Sequence, residues 1–218
     1  MAYFKSIVRK DFAITAFILI VVIFGAVYFS SGKTAKAERY YLLGKAYETQ
    51  GYYEEAISSY DKSLNIKPNS IVYNALGNLH AVLGDNIGAV NAFQNGIKAD
   101  SNDIENYFDV SRVYIQLQDY GKAEENLLKV LEKGNPSASA YALLGTVYIE
   151  TNRLDKAEEV FKKSLGLQQR ASTYNDLGFV YEKIGKLDLA LQNYEMALQL
   201  DDNFQLARSN LQRLRGGT

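Results

Sequence analysis

One pattern of residues occurs five times between residues 40 and 181. Each copy has a tyrosine, a leucine or valine three residues later, glycine or serine next, and tyrosine or histidine three residues beyond that. The steps between copies are 33, 34, 34 and 33 residues, measured between Leu43, Leu76, Val110, Leu144 and Leu177. A period of this length and regularity predicts a stack of like helical units rather than one closed core.

A second pattern follows the first within each copy and has the same period. It is an alanine followed, four residues later, by a large apolar side chain. The pairs are Ala56 and Tyr60, Ala89 and Phe93, Ala123 and Leu127, Ala157 and Phe161, and Ala190 and Tyr194. Turn-forming residues separate the two patterns, as in Gly84-Asp85-Asn86 and Asp119-Tyr120-Gly121. Apolar residues at helical spacing on both sides of a turn predict two helices per copy.

The two patterns together resemble the tetratricopeptide repeat, whose motif has an aromatic residue, Leu-Gly and Tyr in a first helix and alanine with an aromatic residue in a second. The resemblance extends over residues 37–202 and implies an all-α solenoid of five helix pairs. The third copy departs from the motif at Val110, Ser111, Leu127 and Val130. We therefore expect looser packing in that copy.

The residues after the fifth copy predict a capping helix. Phe204, Ala207, Leu211 and Leu214 share one helical face, and Asp202 precedes them as a candidate N-cap. A solenoid needs such a helix because the apolar stripe of its last unit would otherwise face water.

Residues 12–29 form an uncharged run rich in Ile, Val and Phe. At about 1.5 Å per residue, a helix of this length nearly crosses a hydrocarbon core of roughly 30 Å. The favoured interpretation is a transmembrane anchor. The chain then divides into a cytoplasmic tail and anchor at 1–32, a short linker at 33–36, the repeats at 37–202, and the capping helix and tail at 203–218.

Two other interpretations of residues 12–29 stay open. Basic residues precede the run, and Ala35-Lys36-Ala37 resembles a signal-peptide cleavage motif, although the run exceeds the usual length of about 7–15 residues. A buried core helix is the third interpretation, which the lack of a polar face disfavours. Basic residues flank both ends of the run, so their number does not indicate its orientation. We place the N-terminus in the cytoplasm and the repeats on the far side because exporting a short basic tail is the harder route.

The remaining composition argues against several classes of function. The chain has no cysteine and one histidine, His80, which excludes thiol chemistry and a His-rich metal cluster. After residue 32 there are 21 Lys and Arg against 24 Asp and Glu, a net charge of −3, which does not indicate nucleic-acid binding. Three acid pairs recur near the start of the second helix of a copy, where a negative charge interacts favourably with the helix dipole: Glu54-Glu55, Glu124-Glu125 and Glu158-Glu159. We therefore interpret them as structural. We expect no catalytic residue, no metal and no cofactor.

The first helix of each pair is expected to line a concave face, as the resemblance implies. Positions between the packing residues then form a candidate groove for a protein or peptide partner, made of Tyr41, Lys45, Asn74, Asn78, Phe108, Asp109, Arg112, Asn175, Asp176 and Phe179. Asn74 and Asn78 lie on one helical face, and their amides can donate to and accept from an extended backbone. Phe108 and Phe179 are candidate apolar anchors.

One subset of the tetratricopeptide family binds the C-terminal carboxylate of chaperones with a basic clamp. Glu105 and Asp109 occupy the clamp positions of the third unit here. Because two acids repel a carboxylate, we do not expect this mode of binding.

These observations predict a membrane-anchored scaffold or adaptor, not an enzyme, that binds a partner in the groove. Its expected role is to assist the assembly or stability of a membrane or envelope protein complex. One alternative is a permanent small subunit of such a complex, with other integral membrane subunits as partners. Another is an exported soluble binding protein with a cleaved signal peptide, whose mature chain would start near Glu38.

Overall fold

The computed structural model describes residues 32–134 and 136–216, and these ranges contain eleven α-helices and no strand. This confirms the predicted all-α solenoid. The helices are α1 (Lys33–Thr49), α2 (Tyr53–Ile66), α3 (Ser70–Val82), α4 (Asn86–Ala99), α5 (Ile104–Gln116), α6 (Tyr120–Lys133), α7 (Ala138–Glu150), α8 (Leu154–Leu167), α9 (Ala171–Lys183), α10 (Leu187–Leu200) and α11 (Gln205–Gly216).

The first ten helices pack as five antiparallel pairs, from α1 with α2 to α9 with α10. Each second helix also packs against the first helix of the next pair. From α3 onward, the first helices of successive pairs contact one another, and within the described residues the second helices have no comparable contact. The first helices therefore form the inner, concave layer of the stack and the second helices form the outer layer.

Within four of the pairs, a glycine of the first helix lies against an aromatic ring of the second. A Cβ atom on Gly44 or Gly145 would come 2.6 or 2.5 Å from a ring carbon of Tyr60 or Phe161, well inside carbon–carbon contact distance. The third pair has Ser111 and Leu127 instead, and both side chains are fully buried. The smaller leucine leaves room for the serine, whose hydroxyl donates to the Phe108 carbonyl at 2.6 Å. These side chains of the third pair are therefore as buried as those at the same positions of the other pairs.

Each hairpin turn has one residue with left-handed backbone at the same repeat position. These residues are Gly51, Gly84, Gln118, Asn152 and Gly185, with φ between 55° and 81°. The following N–H donates back across the turn, as from Asp119 to the Tyr114 carbonyl at 2.8 Å. In the third pair the turn therefore lies at Gln118, whereas the predicted turn residues Tyr120 and Gly121 already belong to α6.

The last helix, α11, packs on α10 at the end of the stack. Ala207 is fully buried and Leu211 is 8% exposed. Asp202 does not cap this helix, since its carboxylate accepts a hydrogen bond from the Asn203 side chain and α11 begins at Gln205.

Two predictions concern the start of the chain. Residues 33–36, predicted as a linker, form the first turn of α1. No helix in the described part of the chain combines the length and the apolar content that crossing a membrane requires. The predicted anchor at residues 12–29 lies outside the described residues.

Candidate binding groove

The ten candidate groove residues lie on first helices, in three groups. Tyr41 and Lys45 are on α1; Asn74 and Asn78 on α3 face Phe108, Asp109 and Arg112 on α5; Asn175, Asp176 and Phe179 are on α9.

The structure brings four of these residues, Asn74, Asn78, Asp109 and Arg112, into one hydrogen-bonded group, the Asp109 cluster. Asn74 Nδ2 donates to Asp109 Oδ2 at 3.0 Å. Asn78 Nδ2 lies 2.9 Å from Asn74 Oδ1 and 3.4 Å from the same Asp109 oxygen. Arg112 Nη1 lies 3.5 Å from Asp109 Oδ1. The cluster therefore links the second and third pairs across the concave face.

The two charged members of the Asp109 cluster differ in exposure. The Asp109 side chain is 13% exposed, whereas that of Arg112 is 58% exposed. Asp109 thus serves mainly to hold the two amides in place. Arg112 presents the free part of its planar fork of five N–H donors to solvent, a geometry suited to a carbonyl or carboxylate of a bound segment.

A pocket of about 190 Å³ adjoins the Asp109 cluster. Ala81, Val82 and Val113 form its apolar side, and Gln116 lies at its polar edge. Val82 is 72% exposed, although the other four pairs have Thr, Gln, Glu or Lys at this repeat position. The pocket is below the usual size of a small-molecule site of about 300–1,000 Å³ and suits one aliphatic side chain.

The residues on α1 extend this surface by one pair. The Tyr41 and Tyr60 rings lie 6.0 Å apart between centroids, and Lys45 Nζ is 5.8 Å from the Tyr41 ring. A second groove of about 230 Å³ lies beside Tyr41, with Ala37 and Val72 among its lining residues. Tyr41 therefore has both packing contacts and access to an open groove.

The residues on α9 are engaged by the last helix. Asn175 is 3% exposed, accepts a hydrogen bond from Asn210 of α11 at 3.0 Å and donates to Asp176 at 3.2 Å. Burial raises the pKa of Asp176, and the hydrogen bond from Asn175 partly opposes this rise. Phe179 is half-buried, with Lys183 Nζ 5.1 Å from its ring. Asn175 therefore joins the last pair to α11 and is not open to a partner.

Phe108 and Val82 are two further side chains of the groove region. Phe108 is half-buried and packs against the apolar core. The apolar wall at Val82 was missed by the sequence analysis, and its signal was a valine at a position that is polar in every other copy. Within the ranges 32–134 and 136–216, no group of His, Asp and Glu side chains is arranged to hold a metal ion.

Known protein families match most of the described chain. A model named tetratricopeptide repeat matches residues 37–70. A model of the tetratricopeptide repeat protein 21 C-terminal ARM domain matches residues 72–213. Together the two matches include all five helix pairs.

A curated relative is the human protein O-mannosyl-transferase TMTC1, which is 27% identical over 210 residues. The match covers 87% of this chain and 24% of that protein, so the chain spans about a quarter of the relative's length.

Several solved structures share the fold. MamA 41-end from Desulfovibrio magneticus RS-1 has a TM-score of 0.72 and 23% identity, over 78% of this chain and 97% of that chain. YrrB, described as a TPR protein with an unusual peptide-binding site, has a TM-score of 0.69 and 19% identity, over 78% and 89% of the two chains. At these identities the similarity establishes the fold alone.

Proposed function

The chain belongs to the tetratricopeptide repeat family, and from this premise we propose that it is a membrane-tethered scaffold that binds an extended segment of a protein partner across the Asp109 cluster. Its general class, a repeat scaffold for protein–protein interaction, follows from the family. The tether, the binding position and the role in assembling or stabilising a membrane or envelope complex are the proposal.

The observation that carries the proposal is the Asp109 cluster beside an apolar pocket. Arg112 can donate to a backbone carbonyl or carboxylate of a partner, and Asn78 Oδ1 can accept from a partner N–H, since Asn78 Nδ2 already donates within the cluster. Ala81, Val82 and Val113 offer a site for an aliphatic side chain. Extended segments are bound in this way because backbone hydrogen bonds supply affinity and side-chain pockets supply specificity.

The packing of α1 supports the anchor over cleavage after Ala37. Ala35 and Ala37 are 9% and 5% exposed, and Ser63 Oγ donates to the Ala37 carbonyl at 2.7 Å. Cleavage at that site would remove a packed turn. Because α1 begins at Lys33, the proposed anchor at residues 12–29 would hold the groove close to the bilayer.

Site-specific photo-crosslinking tests this proposal. A photoreactive residue is placed at Gln116, at the edge of the pocket, or at Glu125, an exposed site on α6, and the full chain is purified in a mild detergent. We expect a defined partner crosslinked at Gln116, with a stoichiometric integral membrane protein indicating a subunit or a dedicated assembly factor. Equal crosslinking at both sites would contradict the proposal, as would none at Gln116.

Replacement of Asn74 and Asn78 by alanine is expected to weaken partner capture by roughly tenfold, because a key group at the centre of an interface is worth more than about 1 kcal/mol. The melting temperature should fall by only about 2–4 °C, because Asp109 loses both amide donors but keeps Arg112. The control is Asn126→Ala with Asn193→Ala, which removes two amides that bond only to carbonyls of their own outer helices. Unchanged capture by the Asn74 and Asn78 variant, measured by pull-down, would remove the groove assignment.

A further inference from the structure

Basic side chains are concentrated where the stack begins. Lys33 and Lys36 lie in the first turn of α1, and Lys67 directly follows α2, with its Nζ 3.4 Å from Thr34 Oγ1. All three lysines are exposed, and none forms an ion pair within the described residues. We call Lys33, Lys36 and Lys67 the basic edge. Glu38 is the acid among the residues that line the groove beside Thr34 and Lys67, so positive charge predominates here.

Two lysines of the basic edge are unfavourably placed with respect to their own helix. The first turn of α1 carries Lys33 and Lys36 and no acidic residue, and Gly32 before it provides no side-chain cap. The first turn of α2, by contrast, carries Glu54 and Glu55. Because the N-terminus of a helix is the positive end of its dipole, cations there are disfavoured and anions are stabilised. A negatively charged surface against this end of the stack would therefore interact favourably with both lysines and with the dipole.

An exposed isoleucine lies beside the basic edge. Ile71, in the first turn of α3, is 59% exposed and lines the same groove as Thr34 and Lys67. The other four pairs have a polar residue at this repeat position, namely Glu38, Glu105, Ser139 and Ser172. Lysines next to an exposed apolar side chain are the combination that binds the boundary between lipid headgroups and acyl chains, since charge attraction and apolar burial both contribute.

The charge changes sign at the next junction of the stack. Asp100 directly follows α4, in the position that Lys67 has after α2, and Asp103 and Glu105 lie at the start of α5. Lys98 is the base in the last turn of α4. An anionic surface therefore attracts the first junction and repels the second.

We propose that the basic edge rests on the surface of a bilayer that contains anionic lipids, with Ile71 at the level of the headgroups. The inference rests on the proposed tether, because three residues, 30–32, separate the proposed anchor from α1. Three residues span at most about 10 Å, and lysines that close to an anionic membrane are attracted to it. The acidic second junction directs the later pairs away from the bilayer, which leaves the Asp109 cluster open to a partner.

Fluorescence quenching by labelled lipids tests the surface contact. The chain has no cysteine, so one introduced cysteine carries one fluorophore. The label is placed by Ile71→Cys or, as the control at the same repeat position of the fifth pair, by Ser172→Cys. The full chain is incorporated into nanodiscs that contain doxyl-labelled lipid and either phosphatidylcholine alone or phosphatidylcholine mixed with phosphatidylglycerol.

We expect strong quenching at position 71 in the nanodiscs with phosphatidylglycerol, and weak quenching there in neutral nanodiscs. The quenching should also fall at 1 M salt, where the Debye length is about 3 Å. The label at position 172 should be quenched weakly in both lipids. Equal quenching of the two labels, or equal quenching at position 71 in the two lipids, would overturn the proposal.

Lysine variants test which charges are responsible. Lys33→Gln, Lys36→Gln and Lys67→Gln should each lower the ratio of surface-bound to free edge, read from the quenched fraction, by roughly fivefold. The control is Lys133→Gln, at the end of α6 and beyond the acidic second junction, which should leave the quenching unchanged. Unchanged quenching in the chain that carries all three substitutions of the basic edge would contradict the proposal.

The amount of chain that enters the nanodiscs separates this inference from the tether on which it rests. Entry should be equal for both lipids and all variants, because the apolar run provides the tether. Equal entry without lipid-dependent quenching would overturn the surface contact and leave the tether standing. Failure to enter nanodiscs of either composition would contradict the tether and the surface contact together.

Discussion

Among single residues, the glycines of the first helices show most directly how one position controls packing. A Cβ atom at Gly145 would lie 2.5 Å from the Phe161 ring, and Phe161 is fully buried, so the ring has no free space to move into. Gly166 lies on the exposed surface of α8, where a Cβ atom would have no neighbouring group within 4 Å. A side chain would therefore clash at Gly145 and fit freely at Gly166, although both glycines lie in helices.

We expect Gly145→Ala to lower the free energy of unfolding by about 1–3 kcal/mol, because the added methyl group overpacks the pair. Gly145→Leu should be more damaging and unfold the pair locally. The control, Gly166→Ala, should raise the free energy of unfolding by about 0.5–1 kcal/mol, since alanine favours a helix more than glycine does. Urea unfolding followed by circular dichroism measures all three, and a neutral Gly145→Leu would contradict the assigned register.

Between elements, ion pairs connect the outer helix of one pair to the turn of the next. Arg153, which precedes α8, donates to both oxygens of Glu124 on α6, at 2.9 and 2.7 Å. These hydrogen bonds lower the pKa of Glu124 below its ordinary value, against a smaller opposing effect of burial. Lys186, which precedes α10, pairs in the same way with Glu158 on α8, and its Nζ lies 3.3 Å from Glu158 Oε2. The acid pairs in the sequence therefore include residues that join successive units.

The Glu124–Arg153 pair predicts a pH-dependent contribution to stability. Since the pKa of Glu124 is lower in the folded state, the contribution is complete above the ordinary value of 4.5 and disappears as pH falls through the lower folded value. Glu124→Gln should therefore cost about 0.5–1 kcal/mol at pH 7 and less at pH 3. The control is Glu132→Gln, which breaks an exposed pair with Lys129. Urea unfolding at both pH values tests this, and an equal loss at pH 3 and pH 7 would refute it.

The last helix provides a second test between elements. Leu211 of α11 is 8% exposed against the end of the stack, whereas Leu206 of the same helix is 55% exposed. Leu211→Ala should lower the free energy of unfolding by about 2–3 kcal/mol by leaving a cavity. Leu206→Ala should stay within about 0.5 kcal/mol of the original chain. Thermal unfolding distinguishes the two, and equal effects would mean that α11 does not cover the last pair.

Over the whole molecule, the apolar core is divided into two clusters. One includes residues from Ala56 to Ala92 in the first two pairs, and the other extends from Ala89 to Leu211. Asn106 lies near the boundary, fully buried, and its Oδ1 atom has no hydrogen-bond partner among the described residues. A buried acceptor of this kind is unfavourable by about 1–3 kcal/mol.

Because a solenoid is stabilised through contacts between neighbouring units, this division predicts that α1 and α2 unfold locally more often than the inner helices α7 and α8. Amides in α1 and α2 should exchange with deuterium roughly tenfold faster or more than those in α7 and α8, as expected for a less stable subglobal unit. Hydrogen exchange with mass spectrometry measures the difference. The reference helices α7 and α8 belong to the larger cluster and have neighbours on both sides. Uniform protection from α1 to α8 would show that the two clusters open together.

The sequence by itself determined the number of helices, their pairing and the end of the stack. It did so because a 33- or 34-residue period and apolar spacing within each copy are local properties of the chain. Only the tertiary structure showed that Asn74 and Asn78 meet Asp109 and that Asn175 is covered by α11. These contacts depend on the offset and angle between stacked pairs, which arise from the packing of many side chains and are not encoded in the spacing of any motif.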